Sequence, residues 1–372
     1  MAKLLLVTTI PQTIRAFLLP FARHYRSLGW RVDAAAKDII SANLQTEFDT
    51  CHDLPLTRNP KDIKALVQSP SAIRQLVLAG NYDLVHVHTP IAAFLVRFAL
   101  KDVTAKPKIV YTAHGFHFHA HGQSLSNMLF KQLEKMAAPW SDALITINHE
   151  DFQAAKQAQF ATRIEYMAGI GIDTQQWQAD KINAAQQDDI RQSLALTAQD
   201  VLFLMVAEFN AGKRHQDALQ ALSQTPSNVH LAFAGVGGLQ PQIIELASQL
   251  GLSHRVHFLG FRRDIAVLMT VSRAVLLPSE REGLPRSLLE AMSLGMPIIG
   301  TDIRGIAELA ADNCGLLHKV GDVEGLAQAM NLLTTQPKLA QDMGQAARQK
   351  VLAYDIQKII YHHDKLYAEL LV

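Results

Sequence analysis

Short apolar runs rich in strand formers recur along this chain, and each is followed by a longer segment of helical period. In the first half the runs "KLLLVTT", "DLVHVH", "KIVYTAH" and "ALITIN" alternate with segments such as "DIKALVQSPSAIRQLVLAG" and "LSNMLFKQLEKMAAPW". The second half repeats the plan with "VLFLMVA", "VHLAFAG", "VHFLGF", "AVLLPS" and "PIIGTD". A strand that returns to its own sheet through a helix must lie parallel to its predecessor, so the pattern predicts parallel sheets covered by helices. A chain of 372 residues exceeds what one hydrophobic core usually organises. Two doubly wound, Rossmann-like α/β domains facing a central cleft are therefore expected. The break is placed near "AGIGIDTQQW", where Gly169 and Gly171 end a strand-like run and a polar stretch follows. This gives domains at 1–170 and 171–353, and an amphipathic helix at 354–372 whose pattern does not say which domain it covers.

Composition narrows the function classes. A formal net charge of +1 gives no global field for nucleic acid. Two cysteines, Cys51 and Cys314, offer no disulfide framework and fit a reducing, cytoplasmic setting. No run approaches the roughly 20 apolar residues of a spanning helix, so any membrane contact is expected to be peripheral, on the inner face of the cell membrane. The segment "TIRAFLLPFARHYR" mixes Arg15, Arg23 and Arg26 with Phe17, Leu18, Leu19, Phe21 and Tyr25. That composition suits an interface, although a buried amphipathic helix interrupted by Pro20 explains it equally simply.

The stretch "YTAHGFHFHAHG" places His114, His117, His119 and His121 close together. An extended backbone would put the last three on one face. No Cys, Asp or Glu accompanies them, and zinc ligands usually come from separated elements, so a metal site is not expected.

In open α/β sheets ligands bind beyond the carboxyl ends of the strands. The loop "AGVGGLQPQ" has Gly235, Gly237 and Gly238 there but Gln240 at the third glycine position of a dinucleotide finger, and no ribose-binding acid ends a strand about 20 residues on. It reads as a tight strand-to-helix turn rather than a nicotinamide site. More informative is "PSEREGLPRSLLEAMSLGMPIIGTD". Pro285 suits a first helical turn, which would leave the N–H groups of Arg286, Ser287 and Leu288 pointing at an anion. Gly283 admits close approach of a ligand, while Glu282 and Glu290 suit sugar and ribose hydroxyls. In "EFNAGKRHQDAL", Asn210 is expected to cap the next helix, with Lys213 and Arg214 in its first turn. An anion there would offset their conflict with the helix dipole.

Together these segments resemble the family 4 retaining glycosyltransferases of the GT-B fold, over nearly the whole chain. The most specific element is the Glu-x7-Glu pattern of Glu282 and Glu290, followed by "RGIAEL" with Glu308 and preceded by "VHFLGFRRDIAVLM" with Asp264. "DLVHVHTPIAAFLVR" and "YTAHGFHF" are similar to the bacterial subgroup that builds capsular and exocellular polysaccharides. The resemblance implies a hexosyl transfer from a UDP-sugar to a saccharide or polyprenyl-diphosphate-linked saccharide, without metal or other cofactor. It implies that residues 1–170 form the acceptor side and residues 171–353 bind the nucleotide sugar, and that the helix 354–372 crosses back to the N-terminal domain. It also implies that His114 lies at the donor sugar, that Glu282 holds the sugar hydroxyls, that Glu290 holds the ribose and that Lys213 faces the diphosphate. Catalytic His114, Glu282 and Lys213 are thus expected beside donor-binding Glu290, Gly283, Leu284, Arg286, Ser287, Leu288, Asn210 and Gly235. Many relatives carry an Arg five residues before the lysine, where this chain has Glu208; phosphate charge must then rest on Lys213, helix starts and Arg286. A UDP-sugar epimerase of the same fold and a non-catalytic sugar-binding protein are the rival readings.

Overall fold

The computed structural model describes residues 1–59, 61–116, 118 and 124–372. They form two compact units, residues 1–171 with 356–372, and residues 172–355.

The first unit contains β1 (Lys3–Val7), β2 (Arg31–Ala36), β3 (Thr50–Asp53), β4 (Leu84–His88), β5 (Lys108–Ala113), β6 (Ala143–Thr146) and β7 (Ile164–Tyr166). All pair in parallel, in the order β3-β2-β1-β4-β5-β6-β7. The order reverses between β1 and β4, which makes their carboxyl ends the unit's topological switch point. Both faces of β1 are buried, Leu5 and Val7 into one cluster and Leu4 and Leu6 into the other. This is why the strands read as continuous apolar runs rather than alternating ones.

Residues 356–370, a helix, complete the second of those clusters with Ile356, Ile359, Ile360, Leu366 and Tyr367. The Tyr367 hydroxyl reaches His86 Nδ1, and His24 meets Asp364 at 3.0 Å. The segment "TIRAFLLPFARHYR" faces the same core: Ile14, Leu18, Phe21 and Tyr25 are buried. Its basic groups are also engaged within the unit, Arg15 on the Ala42 carbonyl, Arg23 on Glu47 and Arg26 on Asp49. Pro20 stands in the first turn of the helix Leu19–Ser27, where its missing N–H costs nothing. The apolar face of this segment is therefore occupied by the protein's own core. No helix among the described residues is long and apolar enough to cross a membrane.

The second unit holds β8 (Val201–Val206), β9 (Val229–Ala234), β10 (Val256–Gly260), β11 (Ala274–Leu277), β12 (Ile298–Thr301) and β13 (Gly315–His318). They are again parallel, in the order β10-β9-β8-β11-β12-β13. Its switch point lies between β8 and β11. The unit's first and last residues adjoin, with Ile172 bridged to Asp355.

Candidate active site

Two loops leave the carboxyl ends of β8 and β11, the strands that flank the second switch point, and they carry the predicted donor residues. The loops are tied together by the Glu280 N–H, which donates to the Gly212 carbonyl at 2.9 Å. On this frame Lys213 Nζ stands 2.5 Å from Glu282 Oε1, with 25% and 11% of the two side chains exposed. The ammonium proposed for phosphate and the carboxylate proposed for sugar thus neutralise each other across 69 residues of sequence.

The local backbone differs from expectation at two points. The helix after β8 starts at His215, not at Lys213, because Arg214 turns the chain with φ +54°. Asn210 accordingly leads only the short turn Ala211–Lys213; its side chain caps nothing and donates to Glu208 at 3.2 Å. Arg214 is held by Asp217 at 2.6 Å. Likewise Pro285 is the N-cap of the helix Arg286–Ser293 rather than part of its first turn. The Leu288 N–H already donates to the Pro285 carbonyl at 3.2 Å, so Leu288 adds no anion-binding donor. Leu288 and Leu284 bury their side chains, while Ser287 stays partly exposed.

Glu290 lies one helical turn beyond Arg286 and pairs with its Nε at 2.8 Å. Burial pushes the Glu290 carboxyl above its ordinary value, partly opposed by the Arg286 guanidinium. A carboxylate so placed gains from any further donor, such as a hydroxyl. Gly283 is where the backbone of the β11 loop meets Gly305: a Cβ on Gly305 would lie 2.1 Å from the Gly283 carbonyl. Arg304 Nε donates to the Glu282 carbonyl at 3.1 Å, fixing the loop from the same side. Gly235 follows β9, and a Cβ there would sit 1.9 Å from the Ala207 carbonyl. Gly235 and Gly237 of "AGVGG" are required by packing of the loop after β9 on the loop after β8, whereas a Cβ on Gly238 would meet nothing within 4 Å.

His114 belongs to the first unit, one residue past β5. Its Nε2 is 3.0 Å from His88 Nδ1, and its ring stacks on Phe17 with 5.7 Å between centroids. Burial lowers its pKa to about 4. Burial likewise drives His86 and His88 well below the ordinary histidine value. At neutral pH these imidazoles are uncharged, and each can donate from one nitrogen and accept at the other. Beside them Thr89 adopts φ 74°, an outlier for a β-branched residue, and its hydroxyl meets that of Thr9 at 2.6 Å. Thr9 and Thr89 follow β1 and β4, so they stand at the first unit's switch point. Sequence reasoning did not single out His88, Thr9 or Thr89. For His88 the signal was "HVH" at the end of a strand, since residues two apart share a face. His117, His119 and His121 lie outside the described residues, among which no group of three or more metal-ligating side chains occurs.

Known proteins match the chain along nearly its whole length. The model described as Glycosyltransferase Family 4 matches residues 16–174, and that for Glycosyl transferases group 1 matches residues 186–350. The putative glycosyltransferase EpsD of Bacillus subtilis is 31% identical, over 98% of this chain and 96% of its own. An Escherichia coli protein, UDP-Gal:alpha-D-GlcNAc-diphosphoundecaprenol alpha-1,3-galactosyltransferase, is 26% identical over 84% of this chain and 81% of its own. The fold is shared with Anabaena HepE, crystallised with UDP, at a TM-score of 0.81 and 21% identity over 99% of this chain and 100% of that one. With one family model on each unit and a relative matched along almost its whole length, the chain belongs to the family 4 glycosyltransferases of the GT-B fold.

Proposed function

We propose that this glycosyltransferase moves a hexosyl group from a UDP-sugar to a hydroxyl of a saccharide carried on polyprenyl diphosphate, with retention at the anomeric carbon and without a metal ion. The observation that carries the proposal is the meeting of Lys213 and Glu282 at the second unit's switch point, with Glu290 on the adjoining helix. UDP supports the reading as the ligand of HepE, and the name of the Escherichia coli relative supports a lipid-linked acceptor. In this reading the diphosphate draws Lys213 away from Glu282. The ammonium then stabilises charge that grows on the leaving oxygen as the bond to the anomeric carbon breaks. Glu282, released, accepts from sugar hydroxyls, and Glu290 accepts from the ribose. The acceptor oxygen bonds to the anomeric carbon from the face the diphosphate leaves, and its proton passes to the departing phosphate oxygen. His114, uncharged, donates to or accepts from a donor-sugar hydroxyl.

The test is UDP release from a panel of UDP-sugars, with and without a polyprenyl-diphosphate-linked saccharide. Release that requires acceptor supports transfer. Interconversion of the UDP-sugar without acceptor would indicate an epimerase, and binding without turnover a sugar-binding protein.

A further inference from the structure

The first unit contains a cavity of about 430 Å³ that the donor chemistry does not use. Its walls come from three helices, Ile63–Gly80, Pro90–Leu100 and Ser124–Ala137, and from the residues that follow β5. The lining is almost wholly apolar: Leu66, Ile91, Phe94 and Phe130 are representative, and Phe98, Phe116 and Phe118 extend it. Glu134 is the one acidic residue among the lining residues. Its charge is met by the buried Arg97 at 2.8 Å, and Arg97 in turn lies over the Tyr111 ring at 4.6 Å. The wall therefore presents no uncompensated carboxylate to an apolar guest.

The position of the cavity is informative. Pro90 and Ile91, at one end, directly follow Thr89 at the switch point, and Phe116 is two residues from His114. An apolar hole thus adjoins the polar strand ends on which an acceptor hydroxyl is expected. Cations surround its aromatic wall: Arg58 lines it, Lys131 Nζ lies 5.4 Å over the Phe118 ring, and Lys101 Nζ lies 4.8 Å over Phe98. Outside the cavity the same helices expose Val67, Leu125 and Leu129, at 71%, 77% and 58%. A guest that is apolar at one end and doubly charged next to it fits all three features.

We infer that this cavity binds the first isoprene units of a polyprenyl diphosphate, with the diphosphate beside Arg58 and Lys131. The inference rests on the reading of a lipid-linked acceptor and assigns its carrier a place. The volume lies within the ~300–1,000 Å³ of small-molecule pockets. At roughly 30 Å³ for each heavy atom it holds two to three isoprene units. A branched, unsaturated chain has fewer rotors to immobilise than a saturated one of equal length, and the rigid aromatic wall favours it.

Equilibrium binding on the intact protein, with UDP saturating so that the donor site is filled, tests this. The probes are farnesyl diphosphate, inorganic diphosphate and dodecyl phosphate. Each buried methylene is worth about fourfold in affinity, so farnesyl diphosphate should bind at least a hundredfold more tightly than inorganic diphosphate. Ile91→Trp and Leu66→Trp, which fill the cavity from two different helices, should each weaken it at least tenfold while UDP affinity and the unfolding midpoint hold. If one variant does not fold, the other carries the comparison. Farnesyl diphosphate binding no better than inorganic diphosphate, or equally to wild type and the filled variants, overturns the inference. Equal binding of dodecyl phosphate overturns the isoprenoid assignment in favour of a general acyl pocket. Failure of UDP itself to bind would instead strike the donor reading, which the UDP titration reports separately.

Discussion

Replacing Glu282 by Gln keeps the shape of the side chain and removes its charge, and the ion pair with Lys213 makes the outcome for UDP specific. Sequence reasoning alone, with Glu282 touching only the sugar, expects UDP affinity to stay unchanged. In the structure the carboxylate sits 2.5 Å from the ammonium on which the diphosphate depends. UDP must displace it. Both side chains are less than one-third exposed, so the pair is screened less than a surface pair worth up to about 1 kcal/mol, and about 1–2 kcal/mol is a fair net value. Removing the competitor should therefore tighten UDP by roughly five- to thirtyfold. Turnover with donor and acceptor should fall tenfold or more, because the lost carboxylate is a hydrogen-bond acceptor that strengthens as the sugar becomes cationic. Calorimetry with UDP at two salt concentrations, beside initial rates, measures both; the gain should shrink as salt rises. Weaker UDP binding by Glu282→Gln would refute the reasoning, since it would place UDP itself on Glu282.

Glu290→Ala should weaken UDP about ten- to a hundredfold, the worth of a hydrogen bond to a charged group, in the same titration. Arg97→Met should destabilise the protein by about 3–5 kcal/mol in chemical denaturation, because Glu134 is left buried without its cation; Glu134→Gln added to it should recover part of the loss. Acid should destabilise the first unit: burial holds His114 at about 4, against about 6.5 unfolded, and lowers His86, His88 and His363 as well. The unfolded chain then takes up more protons, so stability is full above pH about 6.5 and falls as pH drops toward 4, by up to about 3 kcal/mol for His114 alone; urea midpoints at pH 7 and 5 measure it. Sugar transfer should persist in excess EDTA, and complete loss reversed by manganese or zinc would return a metal to the reaction.

What the sequence could convey was set by the range of the physics involved. Strand-helix alternation is local, and it conveys two parallel sheets because the central β-runs must be buried on both faces. Helix starts depend on single dihedral angles, so the positive φ of Arg214 and the capping position of Pro285 were misread from residue type alone. The contact between Lys213 and Glu282 spans 69 positions and has no sequence signature. It follows only once the strand order shows that β8 and β11 flank one switch point. The last helix displayed its apolar face plainly, yet a periodic face does not name its partner. That partner is fixed by long-range contacts such as the hydroxyl of Tyr367 on His86.

The division of the chain at Gly171 and Ile356 bears on how the protein is made. The second unit is an unbroken stretch whose ends meet at Ile172 and Asp355, so it can close its core as soon as its own residues have left the ribosome. The first unit is synthesised earlier but cannot finish earlier. Until residues 356–370 emerge, the cluster to which Leu4 and Leu6 of β1 belong lacks the side chains of Ile359, Ile360 and Tyr367 that complete it. The half of the molecule translated first is thus the half that is completed last. Through the whole synthesis of its neighbour, it is the one in need of protection from aggregation.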